Sequence, residues 1–172
     1  MSETSAPEMP SVLFVCLGNI CRSPLAEAAL VEAARERGLD VRVDSAGTGD
    51  WHVGHAPDPR ARGIAAEHGV DISAHRARQV TPQDFYRYSD IVALDLQNLA
   101  DLQTLRPPDA TATLSLLLDY VSGREGQAVA DPYYGEEAGF ATTWADVLAG
   151  TAGLAERLAQ RAGSSAKRAS GT

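Results

Sequence analysis

Cys16 and Arg22 are the residues whose types and spacing best suit covalent chemistry on an anion. Five residues separate them, and Cys16 ends the apolar stretch SVLFVC, whereas Arg22 is followed by Ser23 and Pro24. A loop between a buried strand and a helix N-terminus directs backbone N–H groups and the positive end of the helix dipole to one point. A cysteine held there is expected to be a thiolate near neutral pH, which is its nucleophilic form.

Arg22 adds a planar cation that can bind two oxygens of an oxyanion at once, which a lysine cannot do. Ser23 can donate a hydrogen bond to the sulfur, and Gly18 and Asn19 tolerate the left-handed backbone that a tight loop requires. The spacing alone is weak evidence, because it would arise by chance in about one chain in ten. A buried cysteine beside a helix cap is the structural alternative, but the strand before the loop and the helix start after it favour catalysis.

The elements that must position this loop are predicted from hydrophobic patterns. The stretch 11–16 is typical of a strand buried on both faces, 25–37 of a helix that ends before Gly38, and 41–44 of a second strand. These form a βαβ unit, which favours a parallel sheet. The glycine-rich segment 45–58 is longer than most connections, so it is predicted to be a binding loop. Further predicted elements are helices at 59–68, 81–86 with Thr81 as N-cap, 95–105 and 140–161, the last weakened at Gly150 and Gly153, and strands at 91–94 and within 113–118.

The composition indicates one soluble domain. The chain has 172 residues, of which 44% are hydrophobic, and we expect a domain at 11–162 between disordered tails at 1–10 and 163–172. Two cysteines exclude a disulfide scaffold, and no apolar run approaches the ~20 residues of a membrane span. With no signal peptide at the start, the expected location is the cytoplasm, where thiols are reduced.

The net charge of -8 is unevenly distributed along the chain. Residues 11–83 hold eight arginines and nine acidic residues, whereas 84–140 hold three arginines and ten acidic residues. No basic stripe of the kind that binds nucleic acid is present. An anionic ligand must therefore be held by local geometry in the first half of the chain.

Four segments resemble the low-molecular-weight protein tyrosine phosphatases: VLFVCLGNICRSPLAEA, DSAGTGDWHVGHAPDPRA, HRARQVTPQDF and DPYYG. The similarity runs in register from about Ser11 to Arg161. It implies a single α/β domain of the phosphotyrosine phosphatase I-like fold, with a four-stranded parallel sheet flanked by helices on both faces. It also implies hydrolysis of phosphotyrosine in proteins, and of small aryl phosphates, through a cysteinyl-phosphate intermediate without a metal or other cofactor.

The resemblance assigns roles to individual residues. Cys16 matches the nucleophile, Arg22 the clamp on the phosphate and the transition state, and Asp131 the general acid. An acid is needed because a phenolate, whose conjugate acid has a pKa of about 10, departs more easily when protonated, and the ionised Asp131 could then activate the hydrolytic water. Without these partners, an Asp-Pro pair would indicate a turn. The phosphate loop and its supports are matched by Leu17, Gly18, Asn19, Ile20, Cys21, Ser23, Ser45 and His75. The aromatic side chains expected to line the substrate cleft are Trp51, Tyr133 and Tyr134.

Three alternative functions are weighed against phosphotyrosine hydrolysis. Arsenate reductases share the fold and loop but need resolving cysteines outside the loop, whereas the other cysteine here, Cys21, lies inside it. Protein-arginine phosphatases tend to carry Thr where this sequence has Ile20. A non-catalytic phosphotyrosine-binding module is disfavoured by the intact set of Cys16, Arg22 and Asp131. Cys21 also suggests redox regulation through a reversible disulfide with Cys16.

The sequence has four histidines: His52, His55, His68 and His75. No second group of cysteines or histidines at ligand spacing accompanies them, so no metal site is predicted. His68 is instead expected to pair with Asp95, and Glu27 with His75. The expected partners are phosphotyrosine-containing proteins, with inorganic phosphate as product and vanadate as inhibitor. Neither nucleic acid nor membrane is expected, and the protein is expected to be a monomer.

Overall fold

A parallel sheet forms the centre of the protein. The computed structural model describes residues 9–170 apart from 134 and 137. Its four strands are β1 (Ser11–Cys16), β2 (Arg42–Gly47), β3 (Asp90–Ala93) and β4 (Thr113–Leu116). They lie in the order β2-β1-β3-β4, with every neighbouring pair parallel. The predicted α/β class and parallel sheet are confirmed.

Helices cover both faces of the sheet. They are α1 (Arg22–Glu36), α2 (Pro59–Glu67), α3 (Asp84–Arg87), α4 (Leu96–Leu105) and α5 (Ala138–Ser170), with a 3₁₀ helix at Leu117–Tyr120. Successive side chains of β1 alternate between two hydrophobic clusters, as a strand buried on both faces requires. Phe14 packs in the cluster that includes residues of α1, α2 and α5, and Val15 in the cluster that includes residues of α3 and α4.

The strand order places a crevice at the end of β1. The chain passes from β1 to β2 on one side and then continues with β3 on the other side of β1. Ligands of open α/β sheets bind at the carboxyl ends of the strands, at the point where the order reverses. Cys16, the last residue of β1, lies at this edge, and so does Asp95, which follows β3 closely.

Several element boundaries differ from the sequence prediction, and the contacts explain two of them. β2 continues to Gly47, into the segment predicted as a loop, because its backbone pairs with β1 along the full length of that strand. α3 has Gln83 as its N-cap, so the prediction of Thr81 was wrong. Thr81 instead donates from its backbone N–H to the buried carboxylate of Asp84, at 2.8 Å. An Arg78 ion pair at 3.1 Å also holds this carboxylate, so side-chain contacts among neighbouring residues compete with the predicted cap.

The two glycines predicted to weaken α5 lie where the 3₁₀ helix packs against it. A Cβ atom built on Gly150 would lie 2.4 Å from Leu117 Cγ, and one built on Gly153 would lie 2.0 Å from Tyr120 O. Both glycines therefore allow the 3₁₀ helix to approach the α5 backbone closely.

The ends of the chain were predicted as tails. The helix α5 continues to Ser170, into the stretch 163–172 for which a disordered tail was expected. Most of the other predicted tail, at 1–10, lies outside the described residues. No helix in the described part of the chain is both long and apolar enough to cross a membrane.

Candidate active site

The phosphate loop joins β1 to α1 and buries both of its reactive side chains. Cys16 and Arg22 are each 2% exposed. The backbone N–H of Asn19 lies 3.3 Å from Cys16 Sγ, and Ser23 Oγ lies 3.0 Å from the same sulfur. Both groups can donate to a thiolate, so the loop is built to hold negative charge on the sulfur. Ser23 Oγ therefore lies within hydrogen-bonding distance of the sulfur, where the prediction placed it.

The side chain of Asn19 holds the loop in its curled shape. The residue is 1% exposed and has a φ angle of 58°, the left-handed conformation predicted for it. Its Nδ2 donates to Ser23 Oγ at 2.8 Å and to Ser45 Oγ at 3.0 Å. Its Oδ1 accepts from the backbone N–H of Arg78 at 2.9 Å and from His75 Nε2 at 3.2 Å. Asn19 thus ties the loop to β2 and to the segment that precedes α3.

The prediction of a left-handed backbone does not hold for Gly18, whose φ is not positive. A Cβ atom on this residue would lie 3.0 Å from His52 Cδ2, so Gly18 makes room for the histidine instead. Gly47 of β2 is required for a similar reason, since its Cβ would lie 2.7 Å from Leu17 O.

Glu27 and His75 support the loop from behind. Glu27 Oε1 accepts from Ser45 Oγ at 2.7 Å and lies 3.7 Å from His75 Nδ1. Burial raises the pKa of Glu27 above its usual value, and burial likewise lowers the pKa of His75. His75 is therefore neutral near pH 7, and its Nε2–H is the proton that reaches Asn19. Glu27 and His75 lie side by side as expected, but with His75 neutral and its proton on Nε2 they do not form an ion pair.

The guanidinium of Arg22 is held by two carboxylates and a carbonyl. Its Nη1 donates to Asp95 Oδ2 at 2.7 Å and to Val129 O at 3.0 Å, and its Nη2 donates to Asp131 Oδ2 at 3.4 Å. Burial alone would lower the pKa of Arg22, but the Cys16 sulfur and the two carboxylates outweigh it and raise that pKa. The side chain is therefore a fixed, permanent cation beside the nucleophile.

The predicted pairing of His68 with Asp95 is wrong. His68 Nδ1 donates to Ile64 O at 3.0 Å, and the His68 ring centroid lies 5.2 Å from that of Trp144. Asp95 is engaged elsewhere, because it caps α4 by accepting from the backbone N–H of Asn98 at 2.7 Å and also binds Arg22.

Asp131 approaches the loop from a distant part of the chain. Its Oδ1 accepts from the backbone N–H of Tyr133 at 3.0 Å, which leaves Oδ2 directed toward Arg22. The side chain is 33% exposed, in contrast to the buried Arg22. A carboxyl group at the mouth of a site can exchange protons with solvent between turnovers.

The reactive groups open into one cleft of about 230 Å³. Its lining residues are Cys16, Leu17, Gly18, Ile20, Cys21, Arg22, Trp51, His52, Asp131 and Tyr133. Trp51, at 67% exposure, stands at the mouth as predicted, and Tyr133 also lines the cleft. The third predicted aromatic residue, Tyr134, lies outside the described residues.

His52 is a cleft residue that the sequence analysis treated only as a metal candidate. Its ring centroid lies 6.0 Å from that of Tyr133 and 5.6 Å from that of His55. Its position next to Trp51 in the loop segment DWHVG was the available signal. Among the residues that the structure describes, no group of three or more His, Cys, Asp or Glu side chains could hold a metal ion.

Cys21 is buried close to the reactive cysteine. Burial raises the pKa of its thiol far above the ordinary value, and the Asp58 carboxylate and the Cys16 sulfur add to the shift. Cys21 is therefore a poor nucleophile compared with Cys16. The reversible disulfide between these residues stays a prediction.

Comparison with known proteins gives consistent results. The model of the family described as low molecular weight phosphotyrosine protein phosphatase matches residues 11–164. A protein of that name from Schizosaccharomyces pombe is 42% identical over 132 residues, which cover 75% of this chain and 84% of the relative.

Solved structures agree in fold as well as in sequence. The crystal structure of YfkJ from Bacillus subtilis is 36% identical, with a TM-score of 0.84, and the match covers 91% of this chain and 99% of that one. The crystal structure of a Drosophila arginine phosphatase is 35% identical, with a TM-score of 0.80 and coverage of 85% and 96%. The sequence matches and the shared fold show that this chain belongs to the low molecular weight phosphotyrosine protein phosphatase family.

Proposed function

We propose that this protein hydrolyses phosphotyrosine in proteins, and small aryl phosphates, through a cysteinyl-phosphate intermediate. One observation carries the proposal: a nucleophile, a fixed cation and a carboxyl group, supplied by Cys16, Arg22 and Asp131, line a single cleft. Trp51 and Tyr133 form flat walls at the same opening, which suits an aromatic phosphate ester.

The first chemical step transfers the phosphoryl group to the enzyme. The thiolate of Cys16 attacks phosphorus, the bond from phosphorus to the phenolic oxygen breaks, and Asp131 passes its proton to that oxygen. Arg22 binds two of the equatorial oxygens, where negative charge is shared in the transition state. Because Arg22 is already held by Asp95, little reorganisation is needed when the phosphate binds.

The second step releases inorganic phosphate. Water attacks phosphorus, Asp131 accepts its proton, and the bond from phosphorus to sulfur breaks. Ser23 Oγ, 3.0 Å from the sulfur, donates to the thiolate as it leaves. The two steps return Cys16 and Asp131 to their starting states. All of the groups needed belong to the chain, and vanadate is the expected inhibitor because it mimics the pentacoordinate phosphorus.

The substrates we propose are phosphotyrosine-containing proteins. Cys16 lies at the base of a cleft whose mouth carries Trp51, so a substrate side chain must reach past the aromatic walls to the sulfur. A phosphotyrosine side chain has that length, whereas phosphoserine is too short.

Phosphoarginine hydrolysis is the second candidate, because a solved arginine phosphatase shares the fold at 35% identity. Ile20 bears on the choice, since it lines the cleft and is only 8% exposed. Its branched apolar side chain offers van der Waals contact to a phenyl ring but no hydrogen bond to a guanidinium. The structure therefore favours the aryl ester over the phosphoramidate.

The test compares a phosphotyrosine peptide with the same peptide carrying phosphoarginine, in the presence of a chelator. The wild-type protein should hydrolyse the phosphotyrosine peptide with the higher kcat/KM, and Cys16→Ser should abolish turnover while phosphate binding persists. Turnover that survives in Cys16→Ser would contradict the covalent mechanism. A preference for phosphoarginine would move the substrate assignment to the second candidate, and binding without turnover in the wild type would identify a phosphotyrosine-binding module.

A further inference from the structure

Arg60, the second residue of α2, lies outside the set of cleft-lining residues but makes a dense group of contacts. Its Nε donates to Asp58 Oδ1 and its Nη2 to Asp58 Oδ2, each at 3.1 Å. The same guanidinium donates to Tyr133 O at 2.9 Å and to Gly135 O at 3.3 Å. The first pair of contacts stays within the start of α2, whereas the second reaches the segment that begins with Asp131.

Aromatic rings surround the same guanidinium. Its central carbon lies 4.7 Å from the centroid of the Phe140 ring in α5 and 5.7 Å from that of the Tyr133 ring. A cation over an aromatic face is attracted to it, and the planar guanidinium can make these contacts while its edge donates hydrogen bonds. Arg60 therefore contacts the segment 131–140 through both its edge and its face.

Asp58 anchors Arg60 to the phosphate loop. Its backbone N–H donates to Ile20 O at 2.9 Å, and its side chain caps α2 by accepting from the N–H of Arg60 at 2.8 Å. Burial would raise the pKa of Asp58, but the hydrogen bonds from Arg60 outweigh it and lower that pKa. Asp58 is thus an anion whose main chain is fixed to the loop that holds the nucleophile.

The segment that carries Asp131 lies outside regular secondary structure. None of the described residues of 131–136 belongs to a helix or strand, so contacts with other parts of the chain help to set its position. Arg60 binds the carbonyl of Tyr133, and the N–H of the same residue donates to Asp131 Oδ1 at 3.0 Å. A shift of the Tyr133 backbone would therefore move the carboxyl group directly.

We propose that Arg60 is a positioning residue for the general acid: with Asp58, it links the phosphate loop to the segment 131–135 and so places Asp131 beside the departing oxygen. This inference rests on the proposed function, because it presumes that Asp131 protonates the leaving group. A misplacement of about 1 Å costs up to roughly 100-fold in rate when a reacting group must be aligned.

The test is the dependence of kcat/KM on the leaving group. For p-nitrophenyl phosphate, whose leaving group needs little protonation, kcat/KM of Arg60→Gln should stay within about 3-fold of wild type. For phenyl phosphate, kcat/KM should fall by roughly 10-fold to 100-fold. Asp58→Asn should likewise lower kcat/KM for phenyl phosphate more than for p-nitrophenyl phosphate. The matched control is Arg62→Gln, an exposed arginine on the same helix, which should not alter either value.

A double-mutant comparison separates positioning from a general structural role. In an Asp131→Asn background, adding Arg60→Gln should not steepen the leaving-group dependence further, because the group that it positions is already gone. If Arg60→Gln folds poorly, Arg60→Lys is the second variant. It keeps the charge but cannot bind Asp58 and the Tyr133 carbonyl together, so it should also steepen the dependence of kcat/KM on the leaving group.

Equal losses of kcat/KM on both phosphate esters would overturn the proposal, since a general structural defect lowers kcat/KM for all substrates alike. Independent, multiplicative losses for Arg60→Gln and Asp131→Asn would overturn it as well. If Asp131→Asn steepens the dependence and neither Arg60 variant does, the positioning role fails while the proposed function stands. If Asp131→Asn itself leaves the dependence unchanged, the assignment of the acid is wrong and the role of Arg60 is lost with it.

Discussion

Replacing Asn19 with alanine should show how much the hydrogen bonds of this side chain contribute to the unfolding free energy. The change removes the acceptor of two donors, the Arg78 N–H at 2.9 Å and His75 Nε2 at 3.2 Å. Each donor left unpaired in a buried site costs about 1–3 kcal/mol. Alanine at a φ angle of 58° adds about 1–2 kcal/mol of backbone strain.

The hydroxyls of Ser23 and Ser45 add less to the loss of unfolding free energy, because each keeps another partner, Cys16 Sγ and Glu27 Oε1 respectively. The expected loss of unfolding free energy for Asn19→Ala is therefore about 3–8 kcal/mol. For a domain of this size, each kcal/mol lowers Tm by roughly 2–4 °C, so Tm should fall by at least about 6 °C. The activity should fall too, by about 100-fold in kcat/KM, since the backbone N–H of residue 19 that faces the sulfur is no longer held in place.

The assay is urea unfolding together with turnover of p-nitrophenyl phosphate, and Asn19→Gly is the matched control. Glycine loses the same hydrogen bonds but adopts a positive φ without strain, so it should be less destabilising than alanine by about 1 kcal/mol. Losses below about 1 kcal/mol for both variants would refute the role of the network. Equal losses for the two variants would refute the contribution of backbone strain.

Two further predictions concern pH and packing. Because the pKa of His75 is lower in the folded protein than in the unfolded chain, the unfolded chain binds more protons and wild-type stability should fall as the pH drops below about 6.5. The advantage in unfolding free energy of wild type over His75→Gln should therefore shrink from about pH 8 to about pH 5 in urea titrations, and a constant advantage would contradict the pKa direction. Gly153→Ala should lower the unfolding free energy by about 1–3 kcal/mol or more, because its Cβ would lie 2.0 Å from Tyr120 O. The control is Gly163→Ala, whose Cβ would have nothing within 4 Å and which should be neutral or stabilising by less than about 1 kcal/mol in thermal melts of both variants. Equal effects at both glycines would show that helix propensity, and not the close approach to Tyr120, decides the stability.

The phosphate loop could be predicted because its parts are adjacent in sequence. The strand that ends at Cys16, the curled loop and the helix that begins at Arg22 form one continuous segment, and each has a local signal in residue type or periodicity. Backbone conformation at Asn19 was also predictable, since its amide tolerates a positive φ. The roles of more distant residues came from the family resemblance.

The two failed local predictions have different causes, a competing local contact and packing against a distant segment. Thr81 has the residue type of an N-cap, but its N–H binds the carboxylate of Asp84, which an ion pair with Arg78 holds in place. Gly153 weakens a helix by propensity, yet the helix continues because the backbone of Tyr120 fills the space that a side chain would occupy. The Thr81 contact lies only three positions along the chain, and residue type alone did not show which side chain its N–H would bind. The Gly153 contact is with another segment, which no short window of sequence contains.

The sequence by itself determined the chemistry that is available: a cysteine at the end of a buried strand, an arginine at the start of the next helix, and a parallel α/β fold to hold them. The tertiary structure alone decided which distant side chains meet that loop. Asp131 reaches Arg22 from 109 positions along the chain, and Arg60 links the two segments from α2. The physical reason is that periodicity specifies which face of an element is buried, whereas the distance between two side chains depends on how all the elements pack together.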